Sequence, residues 1–151
     1  MSPGAHGRKP VSVARPSQPT WSARLIEFPC HRDQRGNLTV AEGEAEVPFA
    51  IRRVYYLHDV PGGTTRGGHA HLELEQIILA VAGSFDVTLY RGQASKTYSM
   101  NRANVGLYIP PMHWRELGNF SSGSVCLVLA SQPYWKGDYL FDFGQFIEST
   151  A

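Results

Sequence analysis

Ile51-Arg-Arg-Val-Tyr-Tyr-Leu-His-Asp59, followed by Val60-Pro61-Gly62-Gly63, sets the rhythm of the chain. A short run rich in Val, Ile, Tyr and Leu is closed by residues that break regular structure, which is the signature of a strand ending in a turn. Runs of the same kind recur on both sides, over 38–41, 75–82, 85–90, 96–100, 105–109 and 125–130. Turn chemistry separates them at Asp33-Gln34-Arg35-Gly36, Arg91-Gly92 and Ser121-Ser122-Gly123. About seven short strands with Gly and Pro turns predict an all-β fold, a double-sheet jelly roll whose mouth is the natural pocket. Only 138–147 has the length and apolar spacing for a turn or two of helix.

The chain has 151 residues, enough for one domain with a real core and too few for two. Residues 1–20 carry four prolines and three basic residues with no acidic one, and read as a disordered leader. The folded domain is therefore expected over 21–151. Fourteen Lys and Arg against thirteen Asp and Glu leave a net charge of +1. Bulk charge gives no reason to expect nucleic acid or a membrane surface as partner, so an anionic ligand must be met by a local cluster. The longest apolar stretch, 76–83, is far short of the roughly 20 residues of a membrane helix. Cys30 and Cys126 show no metal or redox spacing and suit reduced, packed thiols, and with them a soluble cytoplasmic protein.

Gly63-Thr-Thr-Arg66-Gly-Gly-His69-Ala-His71-Leu-Glu-Leu-Glu75 is the richest segment for chemistry. In a strand, His69, His71, Glu73 and Glu75 share one face and Ala70, Leu72 and Leu74 the other. Such a face serves either as a solvated strand surface or as a shaped site, and Gly67-Gly68 just before it permit unusual backbone angles. The same parity puts Arg53, Tyr55 and Leu57 together, a phenol beside a guanidinium, which offers a hydrogen-bond donor next to an anion clamp. The alternative for that strand is a Tyr ring packed in the core with Arg reaching solvent.

His69-x-His71-x-x-x-Glu75 resembles the first motif of the cupin superfamily, in which two His and a Glu often hold Fe, Mn or Zn. The second motif departs from the metal-binding pattern, because in Ile109-Pro-Pro-Met-His113 the histidine follows Pro110 by only three residues.

Taken whole, 33–146 resembles a narrower cupin family, the sugar-nucleotide 3,4-ketoisomerases acting on dTDP-4-keto-6-deoxyglucose, over 114 of 151 residues. The carriers include Asp33-Gln-Arg-Gly-Asn-Leu38, Arg53-Val-Tyr-Tyr56, Arg66-Gly-Gly-His-Ala-His71, Leu74-Glu-Gln76, Val105-Gly-Leu-Tyr-Ile-Pro-Pro111, Trp114-Arg-Glu116 and Leu127-Val-Leu-Ala-Ser131. The resemblance implies a double-stranded β-helix without metal or other cofactor, and a homodimer that exchanges strands. Its implied reaction moves a ketone from C4 to C3 of a dTDP-linked deoxysugar on the way to amino sugars. His69 is implied as the main base, with His71 and Tyr55 in proton transfer. Arg53 and Arg66 are implied as the pyrophosphate clamp, and Arg35 and Arg115 are further candidates to assist it.

Trp114, Tyr108 and Tyr134 are candidates to stack on thymine, and Arg35-Gly36 to control the configuration at C4. At Phe141 many relatives are expected to carry Arg. Two other readings compete: a metal-dependent cupin enzyme using His69, His71 and Glu75, and a non-catalytic cupin that binds a sugar nucleotide.

Overall fold

The computed structural model describes residues 21–151; the expected leader lies outside the described residues. In chain order the strands are β1 (Arg24–Glu27), β2 (Cys30–Asp33), β3 (Gly36–Thr39), β4 (Arg53–His58), β5 (Arg66–His71) and β6 (Gln76–Ala82). They continue with β7 (Phe85–Arg91), β8 (Ala94–Met100), β9 (Val105–Ile109), β10 (Trp114–Gly118), β11 (Val125–Ala130) and β12 (Tyr139–Leu140), and one helix, α1 (Phe143–Thr150), follows. Two five-stranded sheets, β1-β9-β6-β11-β4 and β12-β5-β10-β7-β8, face each other, and β2-β3 forms a separate ribbon. Pairing within these sheets is antiparallel throughout. This is the expected all-β jelly roll of cupin type.

Strand β6 explains why the first sheet needs cover on both sides. Ile78 and Ala80 point between the sheets, into a core with Val87, Leu89, Leu107, Ile109, Cys126 and Val128. Ile77 and Leu79 point the other way, under Phe28, Val47 and Phe49. A strand buried on both faces reads as an unbroken apolar run, as 77–82 does. Cys30 and Cys126 are both free, and Cys126 is fully buried in the inter-sheet core.

The outer face of the second sheet is closed by α1. Its Phe146 is fully buried and packs with Ala70 and Trp114. Asp142 caps the helix by accepting from the Gln145 N–H at 2.9 Å, as an acidic cap residue should. The helix therefore starts five residues later than the 138–147 expectation. Asp138 ends a 3₁₀ turn, Lys136–Asp138, and Tyr139–Leu140 adds a strand to the edge of β5 before the helix begins. Strands β1, β2, β10 and β12 escape a reading by apolar content because they are short or carry charge.

Candidate active site

Strand parity builds the pocket as expected for β4: Arg53, Tyr55 and Leu57 are partly buried while Val54, Tyr56 and His58 are exposed. On the facing sheet, β5 turns His69 and His71 to the same side, with ring centroids 4.9 Å apart in an edge-to-face arrangement. Gly67 and Gly68, at φ +88° and +71°, make this approach possible. A Cβ on Gly67 would lie 2.8 Å from the Arg115 carbonyl oxygen. Opposite them the β5-β10 register slips between Arg115 and Glu116, a bulge that re-aims neighbouring side chains.

Between the sheets lies a cavity of about 350 Å³. Arg53, Tyr55, Arg66, His69, Arg115 and Tyr139 line it with Gln76, above an apolar floor that includes Leu57, Ile78 and Val128. Arg115 is its electrostatic centre, 2 % exposed. Its guanidinium donates to Gln76 Oε1 and, at 3.1 Å, to the His113 carbonyl, and its Nε finds no partner among the described residues. No carboxylate forms an ion pair with it among the described residues. Burial lowers its pKa to about 10, against Tyr55, Tyr139 and Asp138, which raise it; it remains a cation at neutral pH.

Gln76 relays this arrangement. While its oxygen accepts from Arg115, its amide nitrogen donates to the Tyr55 hydroxyl at 2.9 Å. The Tyr55 proton is thereby left for another acceptor, and burial raises the phenol above its ordinary value. His69 is held at about 4, first by burial and then by the Arg115 charge, and His71 at about 2 for the same two reasons. Both imidazoles are neutral at pH 7 and able to take a proton. Arg53 stands over the Tyr55 and Tyr134 rings at 5.3 and 5.6 Å, and its Nε has no partner among the described residues.

Several expected residues lie elsewhere. Glu73 and Glu75 do not join the histidines, since β5 ends at His71. Glu75 instead accepts from the Tyr108 hydroxyl at 2.6 Å, with Tyr108 packed in the outer cluster near Phe49. Among the described residues no three of His, Cys, Asp and Glu gather as a metal site, and the His69, His71, Glu75 ligand set is not assembled. Trp114 is turned away from the cavity by the parity that points Arg115 in; its ring packs on Phe143 and Phe146 at 5.1 and 5.8 Å. Of the three stacking candidates only Tyr134 stands by the cavity, near Arg53 and Tyr139. Phe141 lies 6.1 Å from the His69 ring and stacks on Tyr139.

Arg35 and Gly36 sit at the tip of the β2-β3 ribbon. Arg35 is 90 % exposed and pairs with Asp33 at 2.8 Å; neither residue lines the cavity of its own chain. Three residues had no place in the sequence-based site: the buried Gln76 and Asp138 and the partly buried Tyr139. Gln76 showed itself as a lone amide opening an apolar strand and as the end of the Leu74-Glu-Gln76 stretch, neither of which gives it a role, and Asp138 reaches His71 across 67 positions of sequence.

The buried histidines fix a pH response. The unfolded chain takes up their protons near 6.5, whereas the folded chain holds His69 and His113 at about 4 and His71 at about 2. Protonation therefore favours the unfolded state below about 6.5. Urea midpoints are expected to be level from pH 8 to 7 and to fall steadily from about 6.5 toward 4; a midpoint unchanged over that window would contradict the burial of these imidazoles.

The FdtA family (WxcM-like, C-terminal) matches residues 22–151. A TDP-4-oxo-6-deoxy-α-D-glucose 3,4-oxoisomerase from Aneurinibacillus thermoaerophilus is 39% identical over 128 residues, 85% of this chain and 92% of that protein. Among solved structures, a His→Asn variant of the 3,4-ketoisomerase QdtA from Thermoanaerobacterium thermosaccharolyticum, in complex with TDP-4-keto-6-deoxyglucose, superposes with a TM-score of 0.85. It is 37% identical and covers 87% of this chain and 95% of its own. The WlaRB TDP-quinovose 3,4-ketoisomerase of Campylobacter jejuni gives a TM-score of 0.80 at 40% identity, over 83% and 97% of the two chains. With its fold, its paired histidines and its arginine-lined cavity in place, the chain belongs to the FdtA family, among the TDP-sugar 3,4-ketoisomerases.

Proposed function

We propose that this chain isomerises dTDP-4-keto-6-deoxy-D-glucose to a dTDP-3-keto-6-deoxyhexose in deoxy-amino-sugar biosynthesis. The observation that carries this reading is the placement of neutral His69 and the Tyr55 hydroxyl in one cavity with the buried Arg115 cation, with the neutral, fully buried His71 packed against His69. A hydrogen on the carbon next to a ketone is removable by an imidazole when the resulting enolate is stabilised by fixed charge.

In this scheme His69 takes the C3 proton, and the electron pair forms an enediolate across C3 and C4. Arg115 offsets the charge that develops on its oxygens. A proton is then delivered to C4, the C3 hydroxyl gives up its own and the C4 oxygen takes one up, which leaves the ketone at C3 and a hydroxyl at C4 with no net change in atoms or electrons. Tyr55 and His71 carry these protons. Arg53 and Arg66, also lining the cavity, are assigned to the pyrophosphate, for which guanidinium supplies two-pronged hydrogen bonding. Tyr134 is assigned to thymine.

The quaternary part of the reading is a homodimer with exchanged strands. The β2-β3 ribbon lies outside both sheets with Leu38 59% exposed, and an isolated two-stranded ribbon is marginal in water. Exchange would pair it with a second copy and carry Arg35 and Gly36 to the partner's cavity, where they would bear on the face at which C4 is protonated. The free cysteines suit a reducing cytoplasm, and among the described residues no helix is long and apolar enough to cross a membrane.

Two experiments test this. Leu38→Asp is expected to shift the sedimenting species from dimer to monomer and to depress turnover; a fully active wild-type monomer would remove the exchanged dimer. His69→Asn is expected to lower isomerisation by at least about 10²-fold while TDP binding by calorimetry stays within about threefold. Substantial residual turnover would take the base role from His69, and tight sugar-nucleotide binding with no turnover in the wild type would favour a non-catalytic binder.

A further inference from the structure

Asp138 is an acidic residue buried beside the catalytic cavity, 3% exposed, and no part of the scheme above uses it. Its Oδ2 lies 3.0 Å from His71 Nδ1. The backbone N–H groups of Glu73 and Leu74 donate to Oδ1 at 2.8 Å and to Oδ2 at 3.3 Å. A carboxylate offers only acceptor sites, so the hydrogen in the His71 contact sits on Nδ1. The other ring nitrogen, Nε2, is buried and has no hydrogen-bond partner among the described residues. It therefore carries the lone pair.

The surroundings allow this arrangement to work as a unit. Tyr139, next in sequence, packs on His71 at 4.4 Å between ring centroids, and His69 lies at 4.9 Å. The backbone also locks the pair: Leu72 N–H donates to the Asp138 carbonyl at 2.9 Å, and β12 begins at the next residue. Burial, and after it the cationic neighbours Arg115 and Arg53, oppose a second proton on His71, whereas the Asp138 carboxylate lies on the Nδ1 side and offsets an imidazolium formed during turnover.

We propose that Asp138 is a positioning residue for the isomerisation: it fixes His71 as the Nδ1–H tautomer and so makes Nε2 the atom through which His71, packed against His69, takes up and returns a proton. This rests on the proposed role of His71 as a proton carrier. The tautomer itself is independent of that role and is measured separately. An imidazole held by a carboxylate in this way loses most of its catalytic value when the carboxylate becomes an amide, because an amide also stabilises the wrong tautomer.

The test uses the full chain. Nitrogen-15 spectra of wild-type protein with labelled histidine are expected to show His71 protonated at Nδ1 and unprotonated at Nε2. Asp138→Asn is expected to mix the tautomers and to lower kcat by about 10²- to 10⁴-fold, with KM and TDP affinity within about threefold. A purely structural role would move TDP affinity and thermal stability and leave the His71 tautomer in place. A wild-type His71 protonated at Nε2 would overturn the proposal even if the variant failed to fold, as would an Asp138→Asn enzyme with unchanged kcat. If the wild type shows the Nδ1–H tautomer but no isomerisation, the functional reading fails while the positioning of His71 by Asp138 stands.

Discussion

A guanidinium sealed between two sheets with no carboxylate partner among the described residues is costly, and the arrangement around Arg115 is organised by that cost. Removing an ion from water carries a penalty of several kcal/mol unless other groups replace the lost solvation. Here the replacements are neutral dipoles, the Gln76 amide oxygen and the His113 carbonyl. A neighbouring carboxylate pairing with Arg115 would satisfy the charge and cancel its field. With dipoles alone the field survives, adds to the effect of burial on the neighbouring imidazoles and is directed at whatever occupies the cavity. The same charge that adds to burial in making His69 and His71 unwilling to hold a second proton favours an anionic state of a bound molecule, so a weak carbon acid becomes a feasible target for a weak base.

The fold supplies this arrangement through strand parity and one irregularity. β10 alternates Trp114 outward into the helix contact and Arg115 inward, so a one-residue slip would exchange an apolar anchor for the cation. The bulge between Arg115 and Glu116, opposite the left-handed Gly67 and Gly68, sets β5 against β10 close enough for His69 to meet the Arg115 field. β12 then covers the inner end of β5 and brings in Asp138 and Tyr139. Rigid strands on both sides hold the cavity residues, which suits chemistry that depends on preset charges more than on movement.

The features legible in the sequence were those set by local period. β4 placed Arg53 and Tyr55 together by simple alternation, and the His-x-His spacing put both imidazoles on one face of β5. Alternation failed for Glu73 and Glu75, because the chain leaves the strand after His71 to let Asp138 accept from the Glu73 and Leu74 N–H groups. It also left Trp114 as a stacking candidate, since an aromatic beside an arginine gives no sign of which one faces inward until the strand's partners are known. Gln76 and Asp138 were beyond local reading: each acquires meaning from a partner more than twenty positions away. Arg35 stands apart from the cavity of its chain, paired with Asp33 at the tip of the β2-β3 ribbon, so neither period nor local pairing marks it as a site residue.

The most direct test of the account is to incubate the purified enzyme with dTDP-4-keto-6-deoxyglucose in D₂O, with and without chelator, and to follow C3 and C4 by NMR. An enediolate formed and quenched by side-chain acids and bases predicts a 3-keto sugar with deuterium entering at C4, at the same rate in both samples. An unchanged sugar, or turnover abolished by chelator and restored by a divalent metal, would contradict it.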